Sequence, residues 1–185
     1  SEQGVFERLV LESFQSGLSW STILKKREAF RSAFASFIPE AVAAFTDKDR
    51  ERLMRDAGIV RNRRKIDAAI TNAQAVIALR GALAAEAEAY RAGRMEEAPV
   101  AHLLRPRQSY PCHLGELAWL YQPREQPRPK NAGKVPAQTE ESRALSLELK
   151  RRGFVFVGPV TALALMSAIG IVNTDILGTW KRPSI

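Results

Sequence analysis

The sequence predicts an all-α fold, and three observations carry that expectation. Apolar residues recur at steps of three and four along most of the chain, the period of one helix face. Ser, Thr or Pro stands where these stretches begin, and Gly stands where several of them end. Almost nowhere do apolar and polar residues alternate as a half-buried strand requires.

Taken in order, Phe6, Leu9, Val10 and Phe14 mark a first helix, which Gly17 interrupts. A second is expected over about 19–34, with Ile23, Leu24, Phe30 and Phe34 on its buried side and Ser19 or Ser21 as N-cap. Pro39 opens a third, reaching Phe45, at the position where a missing N–H costs nothing. Thr46 caps a fourth that includes Leu53 and Met54 and ends near Gly58. A fifth follows Ile59 and Val60 and carries Ile66, Ile70, Ala73 and Ile77. It extends to about Tyr90, because the alanine-rich stretch 82–89 has high helix propensity. Between 93 and 136 lie seven of the ten prolines, which favours loops with one short helix near 114–121. Thr139 starts a further helix through Lys150, and Phe154, Phe156 and Pro159 mark a turn. A last, nearly all-apolar helix over about 160–170 should be buried. One domain over 1–185 is expected, with about 79–117 read as a divergent or inserted region.

Composition narrows the classes of function. Of 185 residues, 45% are hydrophobic and 26% charged, which excludes a disordered chain. Apolar runs such as 159–166 are too short for a bilayer and no charged-then-apolar leader opens the sequence, so no membrane and a cytoplasmic setting are expected. The single cysteine, Cys112, permits no internal disulfide and fits a reducing compartment. Lys and Arg number 28 against 20 acidic residues, a net charge of +8 that suits a polyanionic partner and equally serves solubility.

Three segments carry candidate chemistry. In 53–66, a helix and an apolar-glycine turn lead into a second helix, whose start carries Arg61, Arg63, Arg64 and Lys65. A left-handed Gly58 would close the first helix, and the second would then present free N–H groups beside four cations. That is a grip for phosphates, although an αα-hairpin with a solvated basic face accounts for it equally well. In 11–20, Glu12 sits on an otherwise apolar helix ahead of Gly17, with Trp20 one turn into the next helix. A carboxylate beside an indole can receive a flat, electron-poor ring; a surface glutamate and a core tryptophan is the plainer alternative. In 150–159, a basic helix end, Gly153 and an aromatic turn read as structure, with Arg151 and Arg152 able to reach phosphate. His102, Cys112 and His113 show no metal-ligand spacing on one helix face, and adjacent residues such as Cys112 and His113 usually point apart.

Read together, these segments resemble the DNA-3-methyladenine glycosylase I family. The run 15–20 with 23–28 is similar to the family's signature, 56–63 to its helix-hairpin-helix, and 150–158 with Ile171-Val172-Asn173 to its later blocks, in the same order. The resemblance implies a helix-hairpin-helix glycosylase fold and release of 3-methyladenine from alkylated duplex DNA by base flipping, leaving an abasic site. It assigns Glu12 as the catalytic and base-binding carboxylate and Trp20 as the stacking ring. Gly17 and Leu18 become the turn that enters the gap left by the flipped nucleotide. Gly58, Val60, Arg61, Arg63, Arg64 and Lys65 become the backbone-binding set.

The sequence also departs from the family. A further N-terminal segment there supplies pocket aromatics and the first ligands of a Cys/His zinc site, and this sequence starts downstream of it. Asp175 and Thr179 stand where the later ligands fall, so no metal and no cofactor is expected. Val160 replaces a hydroxyl of the last helix. The superfamily's catalytic aspartate is implied to be missing, so no general base is assigned. The expected partner is double-stranded DNA carrying an alkylated purine, bound by a monomer. Alternatives are a glycosylase for other 3- or 7-alkylated purines and a DNA-binding module without chemistry.

Overall fold

A computed structural model of the chain describes residues 1–15 and 17–176, with position 20 described for its backbone alone. Every regular element among the described residues is helical, as the periodicity predicts. The α-helices are α1 (Glu2–Gln15), α2 (Trp20–Lys25), α3 (Arg27–Ala33), α4 (Pro39–Ala43), α5 (Asp47–Arg55), α6 (Arg63–Arg91), α7 (Leu114–Trp119), α8 (Glu140–Arg151) and α9 (Pro159–Ala168). Short 3₁₀ turns fill in between, one of them at Ala35–Phe37.

Helix α1 is central because it is apolar on almost every side. Phe6, Leu9, Val10, Leu11 and Phe14 are all buried, and the helix packs against α2, α6, α7 and α9. Phe14 meets Phe30 edge-on at 4.9 Å, and Phe34 stacks on Phe37 at 5.6 Å. Such aromatic pairs add about 0.5–1.5 kcal/mol each beyond their burial. Ala35, Ser36 and Phe37 all take left-handed φ, a costly run for non-glycine residues that the complete burial of Phe37 offsets in part.

Helix α6 is the spine, about 43 Å long at 1.5 Å per residue. It is long and apolar enough to cross a membrane, which no single apolar run in the sequence suggested. Half of its most apolar window is buried, with α1, α4 and α5 packed on it, so it is a core helix of this fold.

Three expectations need correction. The helix expected over 19–34 is two helices, because the chain breaks at Lys26, whose N–H bonds back to the Ile23 and Leu24 carbonyls. Leu24, placed on the buried face by spacing, is 48% exposed, and Ile77 of α6 is 40% exposed. The last helix is only half buried, since Val160 faces outward at 60% exposure while Leu165 and Met166 are sealed.

Candidate nucleic-acid and base-binding site

The site begins with two glutamates on α1 that share a helix and differ in company. Both are buried. Glu7 accepts hydrogen bonds from Arg27 at 2.7 Å and Arg31 at 3.0 and 3.1 Å. Burial works to raise its pKa, but the two guanidiniums outweigh burial and hold the carboxyl below its usual range. Glu12, one and a half turns on, has no hydrogen-bond partner among the described residues. Desolvation pushes its pKa up to about 7, against a weaker pull from Arg8. No fully buried side-chain nitrogen or oxygen among the described residues lacks a partner, so the Glu12 carboxyl keeps a solvent-facing edge. A desolvated carboxylate that still opens to solvent can accept a cation or a hydrogen-bond donor.

Beyond Glu12 the chain turns sharply. Gly17 has φ +82°, with open space where a side chain would stand. The Leu18 N–H donates to the Gln15 carbonyl at 2.7 Å, and Gln15 Nε2 donates to the Leu18 carbonyl at 2.9 Å. The turn is thereby pinned, and Leu18 stands 39% exposed on it. Ser19 caps α2 by accepting the Thr22 N–H. Ser16 and the side chain of Trp20 lie outside the described residues, as does Thr179.

The hairpin joins α5 to α6. Thr46 opens α5 with a reciprocal capping box to Asp49, as its sequence position predicts. At the turn, Gly58 is not left-handed, which corrects the expectation. Its N–H donates to Asp56 Oδ1 at 2.7 Å, and a Cβ there would lie 2.9 Å from that oxygen and 3.1 Å from Ala29 Cβ. Glycine is needed for close approach to α3, not for handedness. Ile59 is buried and Val60 half-buried beneath the turn. Asn62 then caps α6, accepting the Lys65 N–H at 3.2 Å, and the first N–H groups of α6 have no acceptor within the helix.

The four cations of this segment divide. Arg61 and Arg64 are exposed and make no ion pair among the described residues, so both charges are available. Arg63 is exposed but shared with Asp67 at 3.3 Å and Asp47 at 4.0 Å. Lys65 does not join them: it is buried, and its Nζ donates to the Phe14 carbonyl at 2.9 Å. Burial lowers its pKa. The exposed cations of the hairpin are therefore Arg61, Arg63 and Arg64, one fewer than the sequence implied.

Sequence reasoning passed over three residues here. Lys26 Nζ donates to the carbonyls of Ala57 and Gly58 at 3.0 and 3.1 Å, tying α2 to the hairpin turn. Phe156 is 45% exposed with φ +55°, and its carbonyl accepts Ser13 Oγ at 3.3 Å, one residue from Glu12. Asn72 clamps the neighbouring Val155 through both its N–H and its carbonyl. Only the tertiary fold makes these links, which span 31 to 143 residues of chain.

Arg152 is 6% exposed between Glu86 and Glu148, and Arg151 pairs with Glu148, so the basic end of α8 serves the fold as the plainer reading predicted. Cys112, His113 and Glu116 do converge, with ligand atoms within 4.8 Å, although neighbouring side chains were expected to diverge. The cause is local: His113 Nδ1 accepts the Glu116 N–H and Glu116 accepts the Cys112 N–H, which closes the start of α7. The Asp175 N–H donates to Asn173 Oδ1. A wide cleft of about 1000 Å³ lies between Leu104, Arg105, Tyr121, Arg124, Leu147 and Glu148, and none of its lining belongs to α1 or the hairpin.

The comparisons with known proteins agree with one another. The sequence profile of a family described as methyladenine glycosylase matches residues 1–113 and 101–182. DNA-3-methyladenine glycosylase 1 of Escherichia coli K12 is 37% identical over 182 residues, covering 97% of this chain and 82% of that protein. A crystal structure of 3-methyladenine DNA glycosylase I superposes with a TM-score of 0.77 at 33% identity, covering 99% of this chain and 86% of the other. The Staphylococcus aureus enzyme, from a structural study of 3-methyladenine recognition, superposes with a TM-score of 0.74 at 29% identity, over 100% of this chain and 85% of that one. With a family profile spanning both halves and relatives aligned over nearly all of this chain, the chain belongs to the methyladenine glycosylase family.

Proposed function

We propose that this chain, a DNA-3-methyladenine glycosylase of base-excision repair, turns the alkylated purine out of the duplex and receives it against Glu12. The observation that carries the reading is the state of Glu12, a buried carboxyl with raised pKa and no hydrogen-bond partner among the described residues. Methylation at N3 makes adenine a cation. Such a base favours an ionised Glu12, and its own N–H groups have an acceptor there. Trp20 is the ring assigned to stack on it.

The chemistry asks little of the protein. Cleavage of the glycosidic bond releases a neutral base from a cationic one, so the leaving group needs no proton. The protein supplies recognition, extrusion and an electrostatic setting that tolerates the oxocarbenium-like sugar, with water as nucleophile. Extrusion costs a few kcal/mol, least for a damaged base that stacks weakly. Leu18, exposed on the pinned turn after α1, fills the vacated space. Arg61, Arg64 and the start of α6 hold the phosphates, with Arg63 contributing through a charge already half committed to Asp67. One protomer carries every group the reading uses.

Chromatography of bases freed from methylated duplex DNA tests the proposal. Free 3-methyladenine should appear, with an abasic site left and no strand cut. Glu12→Gln should lose most of that release. A chromatogram dominated by 7-substituted purines would move the substrate class, and intact methylated DNA after long incubation would overturn the activity.

A further inference from the structure

The groups assigned to the base and those assigned to the phosphates sit on separate segments of chain, and two lysines bridge them in opposite directions. Lys65 lies in the first turn of α6 beside Arg64 and reaches back to the last turn of α1, where its Nζ donates to the Phe14 carbonyl. Phe14 is two residues past Glu12 and leads directly into the pinned turn that bears Leu18. Lys26, at the end of α2, reaches the other way and bonds the carbonyls of Ala57 and Gly58 in the hairpin turn. Between them, Gly58 packs so closely on α3 that even a methyl group would crowd Ala29. The Phe14 carbonyl closes α1 and attracts a cation, and its bond to Lys65 is buried, while the half-buried Lys26 makes two charge-assisted bonds to adjacent carbonyls, so both links are directional.

We propose that Lys26 and Lys65 are positioning residues that lock the hairpin to the base-receiving segment, so that gripping the backbone and inserting Leu18 occur as one rigid movement. The proposal rests on the functional reading above and adds to it. Neither lysine touches DNA. Each sets where Leu18 and Glu12 stand relative to the phosphates held by Arg61 and Arg64. Without the links the hairpin still binds backbone, because its exposed arginines and the start of α6 are intact. The wedge then no longer arrives in register with the base to be displaced.

The test is binding of Lys26→Met, Lys65→Met and the double variant to two duplexes, one undamaged and one carrying a tetrahydrofuran abasic analogue. Binding of free 3-methyladenine and single-turnover base release are measured alongside. Methionine keeps most of the apolar stem and removes the charge and the donors. Affinity for undamaged duplex should stay within about twofold. The preference for the abasic duplex, and the rate of base release, should fall at least about tenfold for each variant, the factor one charge-assisted hydrogen bond is worth. Free base should bind as in the parent. A variant that is merely less stable would melt earlier yet keep the parent's ratio between the two duplexes. Lys65 is buried, and if Lys65→Met fails to fold, Lys26→Met at the half-buried site carries the test alone. A folded Lys26→Met with the parent's abasic preference and release rate overturns the proposal. Failure of the underlying reading looks different: the parent would show no abasic preference, or Glu12→Gln would bind base and release it like the parent.

Discussion

Replacing Glu12 by glutamine separates the cost of a buried carboxylate from its use. The substitution keeps shape and volume and removes the titration. In the folded chain, desolvation raises the carboxyl pKa from 4.5 to about 7. Between those values the folded state holds a proton that the unfolded state has lost. Unfolding free energy therefore falls as pH rises, by up to about 1.4 kcal/mol per pH unit. Below pH 4.5 both states are protonated and nothing is lost; above about pH 7 the loss is complete at roughly 3 kcal/mol. Glutamine carries no such dependence. Denaturant unfolding should find Glu12→Gln close to the parent near pH 4 and roughly 2–3 kcal/mol more stable near pH 8. The same variant should release base poorly near pH 8, where the parent is most active because its carboxylate is ionised. A stability difference that does not change with pH, or a parent kcat/KM that is flat between about pH 5.5 and 8, refutes the reasoning.

Other outcomes follow from the same geometry. Arg61→Ala and Arg64→Ala should each weaken duplex binding and flatten its salt dependence by about one in the log–log slope, read by titration at several salt concentrations. Arg63→Ala should do less, since Asp67 already holds that guanidinium at 3.3 Å. Gly17→Ala places a side chain at φ +82° and should cost about 1 kcal/mol in denaturant unfolding, together with lost preference for abasic duplex. Gly58→Ala meets Asp56 Oδ1 at 2.9 Å and Ala29 at 3.1 Å, and should lower stability by about 1–3 kcal/mol and loosen the hairpin, seen as faster amide exchange at Val60 and Arg61.

Much of this molecule was legible from residue order. Periodicity placed the helices because each buries one stripe and must repeat at the helical step. Thr139 opens α8 because its side chain accepts the Ser142 N–H that a helix start leaves over, and Thr46 opens α5 with its N–H and hydroxyl both given to Asp49 Oδ2. Gly17 announced a turn, and the run of cations after Gly58 announced a hairpin with an exposed basic face. The break at Lys26 was not legible, since both sides of it have ordinary helix-forming residues.

By itself, then, the sequence determined the helical class and most element starts, and it singled out the candidate site's segments, because these depend on neighbours a few positions apart. Only the tertiary structure decided what each charged group does, because a charge's role depends on its partner and its access to water. Glu7 and Glu12 look alike in the sequence, yet one is neutralised by two arginines and the other is left desolvated with a solvent-facing edge. Lys65 reads as one more cation of the hairpin until the fold buries its stem and gives its ammonium the Phe14 carbonyl, across 51 residues of chain. Gly58 looks like a handedness requirement until α3 is packed against it.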